Sequence, residues 1–332
     1  MDRSPEEMKN LGFIGIFKES FKIIWKYKGI LSLITIASIL PLAVIFLAEY
    51  HYSLYLEQKL RRDEHKFYDA RNDSSEKHRL MDELSSVRIK LCVLNVVYYV
   101  VLLMFSLVST SAVVYLVACV YTGKAVTFKK VTSVIPRVWK RLALTFFWVF
   151  IINIVYHLTT LGMYVTLFAI FGRSTAMSLT IVIAVFILHF AGFVYLCIIW
   201  YLGSVISVLE KNSGINAMAK ARDLIKGKGK VVSFIFILLG LVYYGVSIPY
   251  EKLVALHWSP ARVITIGLPC LLLLTGLFLV GLVVQSVIYF VCKSHHYEEI
   301  DKSALSEHLD AFLPGYIPLK ESKDAQQQQV YV

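Results

Sequence analysis

Polar and apolar positions are segregated along the chain into long blocks. Six stretches carry no Lys, Arg, Asp or Glu: Gly29–Ala48 with 20 residues, Leu91–Tyr121 with 31, Leu142–Phe171 with 30, Ser174–Leu209 with 36, Val231–Tyr250 with 20 and Val263–Cys292 with 30. A helix needs about 20 apolar residues to cross a bilayer core. The pattern predicts an all-α, polytopic membrane helix bundle of six transmembrane helices, at about 29–48, 92–120, 142–170, 178–207, 231–250 and 265–291. Residues 1–292 form the membrane domain and residues 293–332 a cytosolic tail, with one short helix expected near 303–312.

A second, shorter period sits ahead of three of the blocks. Ile14, Phe17, Phe21 and Ile24 are spaced 3, 4, 3, which puts them on one helical face, with Lys18, Lys22 and Lys26 as a basic stripe beside it. Phe128, Val131, Ile135, Val138 and Leu142 repeat the design among Lys129, Lys130, Arg137, Lys140 and Arg141. Ile215, Met218, Ala221 and Ile225 repeat it again, with Lys220, Arg222, Lys226, Lys228 and Lys230 nearby. The chain therefore reads as three units, roughly 8–121, 125–209 and 213–292, each a basic amphipathic helix followed by a two-span hairpin. Such a helix seats in the headgroup plane, and each Lys or Arg near an anionic leaflet contributes about 1 kcal/mol. The same residues also serve to orient the spans, with their apolar faces packed on the bundle. The candidate contacts to anionic lipid are Lys18, Lys22, Lys26, Lys129, Lys130, Lys140, Arg141, Lys226 and Lys228.

Composition agrees with the blocks. Of 332 residues 57% are hydrophobic and 17% charged, with mean hydropathy +0.64, well outside the range of soluble domains. The net charge of +11 has a membrane explanation, since basic residues gather in cytosolic loops, and no nucleic-acid partner is expected. Residues 122–141 hold six basic residues and no acid, whereas the short segments 172–173 and 251–262 hold three basic residues together. Nine basic residues in 49–90 are matched by nine acids. This places both termini in the cytosol and 49–90 outside, in the endomembrane system or plasma membrane. The charged segment 49–90 has no Gly or Pro and should extend the first two spans as helices. Its Asn72-Asp73-Ser74 is a glycosylation sequon, which makes Asn72 a candidate for modification. The Gly29 block should act as an uncleaved signal anchor, and Asp2 excludes myristoylation.

Chemistry is sparse. No carboxylate or base lies inside a block, against ion-coupled transport or voltage sensing. Asn153 and His157, four residues apart with Thr160 a turn on, form a candidate intramembrane polar patch. They either line a cavity or make helix-to-helix hydrogen bonds. Ser106, Ser109, Thr110, Ser111 and Ala112, and the pair Gly203 and Ser207, should mark close helix contacts. Pro41 and Pro269 should kink or relax their spans. The five cysteines lie in or at the ends of apolar blocks, and neither His51, His65 and His78 nor His295 and His296 has metal-ligand spacing. No metal, cofactor or catalytic residue is expected.

Two segments carry a resemblance: Ser207-Val208-Leu209-Glu210 continuing through Gly214, Ala217 and Leu224-Ile225-Lys226-Gly227-Lys228, and Tyr316-Ile317-Pro318-Leu319-Lys320 followed by Lys323-Asp324. With six spans and basic helices ahead of them, the chain resembles a plant family of poorly characterised six-span membrane proteins. That family is distantly similar to the membrane domain of some glycerophosphoryl diester phosphodiesterases. The resemblance covers most of residues 8–325. The catalytic barrel of those fusions has no counterpart here, so it implies a membrane module and transfers no catalytic residue. The functional expectation is a non-enzymatic module organising anionic lipids or membrane-protein partners; the alternative is a facilitative transporter or channel for a small solute.

Overall fold

The computed structural model of the chain describes the backbone of residues 5–69, 74–171, 176–255 and 260–296. Among these residues the chain is helical between short turns, without strands: α1 Pro5–Lys9, α2 Phe13–Lys26, α3 Lys28–Ile34, α4 Leu40–Asp69, α5 Ser74–Thr122, α6 Phe128–Phe171, α7 Ala176–Leu209, α8 Ile215–Ile225, α9 Gly229–Ala255 and α10 Pro260–His295. Six helical stretches are long and apolar enough to cross a membrane: Lys28–Asp63, Arg79–Thr122, Phe128–Ile170, Thr180–Leu209, Gly229–Lys252 and Ile264–His295. Each overlaps one of the six expected spans. The charged segment 49–90 is helical on both sides of 70–73, as expected from its lack of Gly and Pro. Asn72 and the tail beyond 296, with its expected short helix, lie outside the described residues.

The chain divides into two compact units. The first holds residues 1–33, 110–239 and 280–332. Three helical segments in it are buried on every side: 110–121 of α5, 202–209 of α7 and 283–292 of α10. A helix that is apolar all round buries its whole circumference. Small residues make this possible in α5, where Ser109, Thr110, Ser111 and Ala112 are buried as the sequence expects. Tyr121 of α5 stacks on Phe290 of α10 with ring centroids 4.1 Å apart.

The second unit holds residues 34–109 and 240–279. Its core joins Ala43 and Leu47 of α4 to Tyr250 of α9 and Cys270 and Leu274 of α10. Phe46 packs against the rings of Tyr50, Tyr243 and Phe278. Just ahead of α4, residues Thr35–Ile39 form a π-helical turn. Pro41 explains it: its ring clashes with the carbonyl four residues back and it has no N–H to donate, and a π turn relaxes that clash. Pro269 lies inside α10 without ending it.

The three expected basic helices differ in construction. The first is α2, separated from α3 by Tyr27 alone, and the third is α8, separated from α9 by a turn. The second is continuous with its span, because α6 runs unbroken from Phe128 to Phe171. Pro136 sits in the third turn of α6, inside the segment expected to be a separate helix.

Candidate functional site

The first unit carries the charge chemistry, and a single carboxylate organises it. Glu210 follows the last residue of α7, and only 14% of its side chain is exposed. Its Oε2 meets Lys220 Nζ of α8 at 2.8 Å, and its Oε1 lies 3.2 Å from Lys293 Nζ of α10. The Tyr289 hydroxyl donates to the same Oε1 at 2.7 Å. Arg141 of α6 donates through Nη1 to the Glu210 carbonyl at 2.8 Å. One residue thus holds α6, α7, α8 and α10 together through charge-assisted bonds. Burial pushes the Glu210 carboxyl up, but the bonds from Lys220 and Tyr289 and the charges of Lys293 and Lys220 outweigh it, and its pKa falls below the ordinary carboxylate value.

Beneath this clasp the chain reverses. Gly214 has φ +60°, a left-handed value that favours glycine, and its N–H donates to Thr145 Oγ1 at 2.8 Å. The Thr145 and Ser207 hydroxyls are 2.7 Å apart. A Cβ at Gly214 would meet Trp148 Cδ1 at 3.1 Å. The reversal lays α8 on α7, with the Met218 backbone over Gly203. The expected small-residue spacing of Gly203 and Ser207 is therefore used twice, once for α8 and once for α6. The buried face of α8 comprises Ala217, Met218, Ala221, Leu224 and Ile225, which contains the expected Met218, Ala221 and Ile225; Ile215 is exposed.

Where α8 ends, His296 lies 3.1 Å from the Leu224 carbonyl and 2.9 Å from the Lys226 carbonyl through Nε2, which must donate because both partners only accept. Gly227 then turns with φ +89° against the His295 ring, and α9 starts at Gly229. This turn lines a cavity of about 920 Å³ between Tyr195 of α7, Arg222 of α8 and the segment 226–231. Four of its residues are cations: Arg222, Lys226, Lys228 and Lys230. Asp223, beside the lining, pairs with Lys226 at 2.7 Å and lies 3.7 Å from Arg222 Nε. The hydrogen bond from Lys226 holds the Asp223 carboxyl below its ordinary value.

The other expected lipid contacts are distributed unevenly. Lys18, Lys22 and Lys26 are exposed on α2, and Lys129, Lys130 and Lys140 on α6. Lys226 is exposed and lines the cavity, while Lys228 is half-buried and donates to the Leu11 carbonyl at 3.4 Å. Arg141 differs from the rest: it is half-buried and engaged with Glu210.

On α2 the faces also differ from expectation. The buried face is Ile16, Glu19, Ser20 and Ile23, whereas Ile14, Phe21 and Trp25 are 77%, 54% and 78% exposed. Of the apolar stripe read from the sequence, Ile14 and Phe21 point outward while Phe17 and Ile24 are half-buried. Ser20 on the packed face satisfies its hydroxyl on the Ile16 carbonyl at 2.8 Å, so that polar residue is buried without an unmet bond. Lys18, Lys22 and Lys26 lie beside the outward apolar stripe, and Lys28 Nζ stands 5.6 Å over the Trp25 ring.

Asn153 donates to the Val149 carbonyl of its own helix at 3.0 Å. His157 is exposed, with its ring 5.6 Å from that of His189. Around this patch, bonds cross between α6 and α7 from Tyr156, whose hydroxyl donates to the His189 carbonyl at 2.7 Å, and from Thr160, 3.1 Å from His189 Nδ1. These are helix-to-helix bonds, one of the two roles the polar patch allows. The residue that sequence reasoning missed is Glu210: it enters there only as part of a resemblance. A lone acid directly after a 36-residue uncharged block and flanked by basic segments was the available signal.

None of the curated proteins and none of the solved structures is detectably similar to this chain. The family described as "Domain of unknown function (DUF8558)" matches residues 1–330, and the protein belongs to that family.

Proposed function

We propose that the protein is a non-enzymatic, multi-pass membrane module that gathers anionic lipid headgroups, and through them membrane partners, at basic surfaces on its cytosolic side. The observation that carries this reading is α2. Its outward face pairs the exposed Ile14, Phe21 and Trp25 with the exposed Lys18, Lys22 and Lys26, while its opposite face is packed. An apolar stripe beside a basic stripe suits a helix seated at the headgroup boundary, and an exposed Trp belongs at that depth. The exposed Lys129, Lys130 and Lys140 extend the same chemistry along α6. Six helices long and apolar enough to span a bilayer supply the anchor. In this orientation both termini face the cytosol, in the endomembrane system or plasma membrane, and Asn72 is presented for glycosylation on the other side. The alternative, a facilitated path for a solute near Asn153 and His157, is less favoured because Asn153 is satisfied within its own helix.

The test uses the full chain reconstituted in vesicles of zwitterionic lipid with a minor fraction of labelled phosphatidylserine. Energy transfer from protein to label should exceed that to an equally labelled zwitterionic lipid. Changing Lys18, Lys22 and Lys26 together to Gln should reduce the excess several-fold, given about 1 kcal/mol per surface cation. Equal transfer to both lipids in the unmodified protein overturns the reading. For orientation, Asn72→Gln should abolish a glycosidase-sensitive gel shift, and a sequon introduced beside Lys129 should stay unmodified.

A further inference from the structure

We infer that the cavity at the α8–α9 turn is a discrete binding site for a lipid headgroup bearing a phosphomonoester. This deepens the membrane-module reading and rests on it for the lipid source. Charge sets the ligand class. Among the described residues, Arg222, Lys226, Lys228 and Lys230 line the cavity and the one carboxylate paired with them is Asp223, an excess of three positive charges. A phosphodiester lipid with a neutral or zwitterionic remainder brings about one negative charge or none. A phosphomonoester adds about −1.5 to −2 at neutral pH, so a headgroup carrying both groups matches the excess.

Size agrees with charge. A cavity of about 920 Å³ far exceeds an inorganic phosphate and lies within the range of small-molecule sites, about 300–1,000 Å³. The backbone contributes as well. Gly227 and Gly229 have no side chains to screen the turn, and α9, 27 residues long, begins there with the positive end of its dipole and its first N–H groups. These features add to a site that the cavity and its four cations define.

Position favours a lipid over a soluble phosphate ester. The cavity's lining passes from Lys230 directly to Val231, the first residue of the uncharged block that reaches Tyr250. Tyr195, from the apolar α7, forms the other wall. Where a span leaves its basic flank is where phosphate headgroups lie.

The experiment measures binding to the detergent-purified full chain by native mass spectrometry and by competition. The probes are dioctanoyl phosphatidylinositol 4-phosphate, dioctanoyl phosphatidylserine and free inositol 1,4-bisphosphate. One equivalent of the phosphoinositide should bind at least tenfold more tightly than phosphatidylserine and tenfold more tightly than the free bisphosphate. The double variant Arg222→Gln, Lys230→Gln should lose at least tenfold of that affinity at unchanged thermal stability, since both side chains are exposed. Asp223→Asn, which releases Lys226, should bind a few-fold more tightly. Equal binding of phosphatidylserine, or unchanged affinity in the double variant, overturns the site. Equal binding of the free bisphosphate overturns the lipid source in favour of a soluble phosphate ester. The α2 lysine variant separates the two proposals. If it abolishes phosphatidylserine enrichment while phosphoinositide affinity falls only in the cavity variant, both stand. If enrichment never exceeds the zwitterionic control but the cavity variant still loses affinity, the broad reading falls and the site remains.

Discussion

Residues 14–24 of α2 and 128–142 of α6 carry the same pattern, apolar positions at helical spacing set among lysines, yet they are used differently. In α6 the expected face is turned inward: Val131, Val138 and Leu142 are fully buried, with Val134 beside them. In α2 the expected face is only half-covered, with Ile14 and Phe21 outward and Phe17 and Ile24 half-buried, and the buried face includes Glu19 and Ser20. The difference lies in how each segment continues. The α6 segment runs without a break into a helix that Arg141 and Thr145 fasten to Glu210, Ser207 and Gly214, so its rotation about its own axis is fixed. The α2 segment breaks at Tyr27, and α3 takes over at Lys28, so its rotation is not carried over unbroken from the helix that follows. Periodicity thus reports that a helix has an apolar stripe, and the surrounding constraints decide whether protein or lipid covers it.

A carboxylate placed on each stripe tests this contrast most severely. Val138→Asp puts a charge where the side chain is wholly buried and should cost about 4 kcal/mol or more, in the range reserved for unpaired buried charge. Ile14→Asp, at a 77% exposed position, should leave thermal unfolding of the detergent-solubilised protein nearly unchanged. Similar losses in both variants, followed by fluorescence-detected size exclusion after heating, would erase the distinction between the two helices.

Removing the clasp comes next. Glu210→Ala removes the carboxylate that Lys220 and Lys293, with 30% and 19% of their side chains exposed, share. Breaking such a pair costs about 3 kcal/mol, and the loss should appear as a lowered unfolding temperature. The same group sets a pH dependence. Its folded pKa lies below its ordinary value of 4.5, so its stabilisation is fully present above that value and is lost as pH falls through the depressed folded value. Unfolding temperature of the unmodified protein should therefore drop more steeply below about pH 4.5 than that of Glu210→Gln. Parallel curves for the two proteins would remove Glu210 as the organiser.

The range of each interaction decides how much of this is legible in the sequence. The six long apolar helices, the helical continuation of 49–69 and 74–90, and the close contacts at Gly203 and Ser207 depend on composition within one segment, and the sequence carries them. The buried face of α6 is also legible, because its apolar residues and its packing coincide. The clasp is not: its partners Arg141, Glu210, Lys220, Tyr289 and Lys293 come from four separated segments, and a lone acid does not announce which cations it will meet. The left-handed turn at Gly214 is hidden for the same reason, since its need comes from Trp148 and Thr145, some 69 residues earlier for Thr145. On α2 the periodicity misleads for a different reason. Ser20 bonds to its own helix, which lets a polar residue face the core and removes the contrast that a hydrophobic period relies on.

The reversal that seats α8 offers a smaller, more local test of why α6 is fixed and α2 is not. Gly214→Ala places a Cβ on a residue with φ +60° and ψ −134°, a backbone conformation that costs an L side chain about 1–3 kcal/mol, and brings it to 3.1 Å from Trp148 Cδ1. The unfolding temperature should fall, and by less than for Glu210→Ala. Gly12→Ala, ahead of α2, where a Cβ meets nothing within 4 Å, should be neutral. A larger loss at Gly12 than at Gly214 would reverse the assignment of which helix is constrained.

The smallest effect on stability, and the most telling on environment, concerns Trp25. Its ring is 78% exposed, so Trp25→Phe should shift the unfolding temperature within about 0.5 kcal/mol equivalent, as surface changes do. If α2 seats its outward stripe at the headgroup boundary, that ring contributes fluorescence that lipids brominated near the top of the acyl chain quench, while lipids brominated near its end leave it bright. The difference between unmodified and Trp25→Phe protein isolates its signal from that of the other four tryptophans. Quenching confined to the shallow probe places the stripe where its lysines reach phosphate. Absence of quenching by either probe would mean that water or another protein covers the face, and the contrast with α6 would then be one between two protein surfaces.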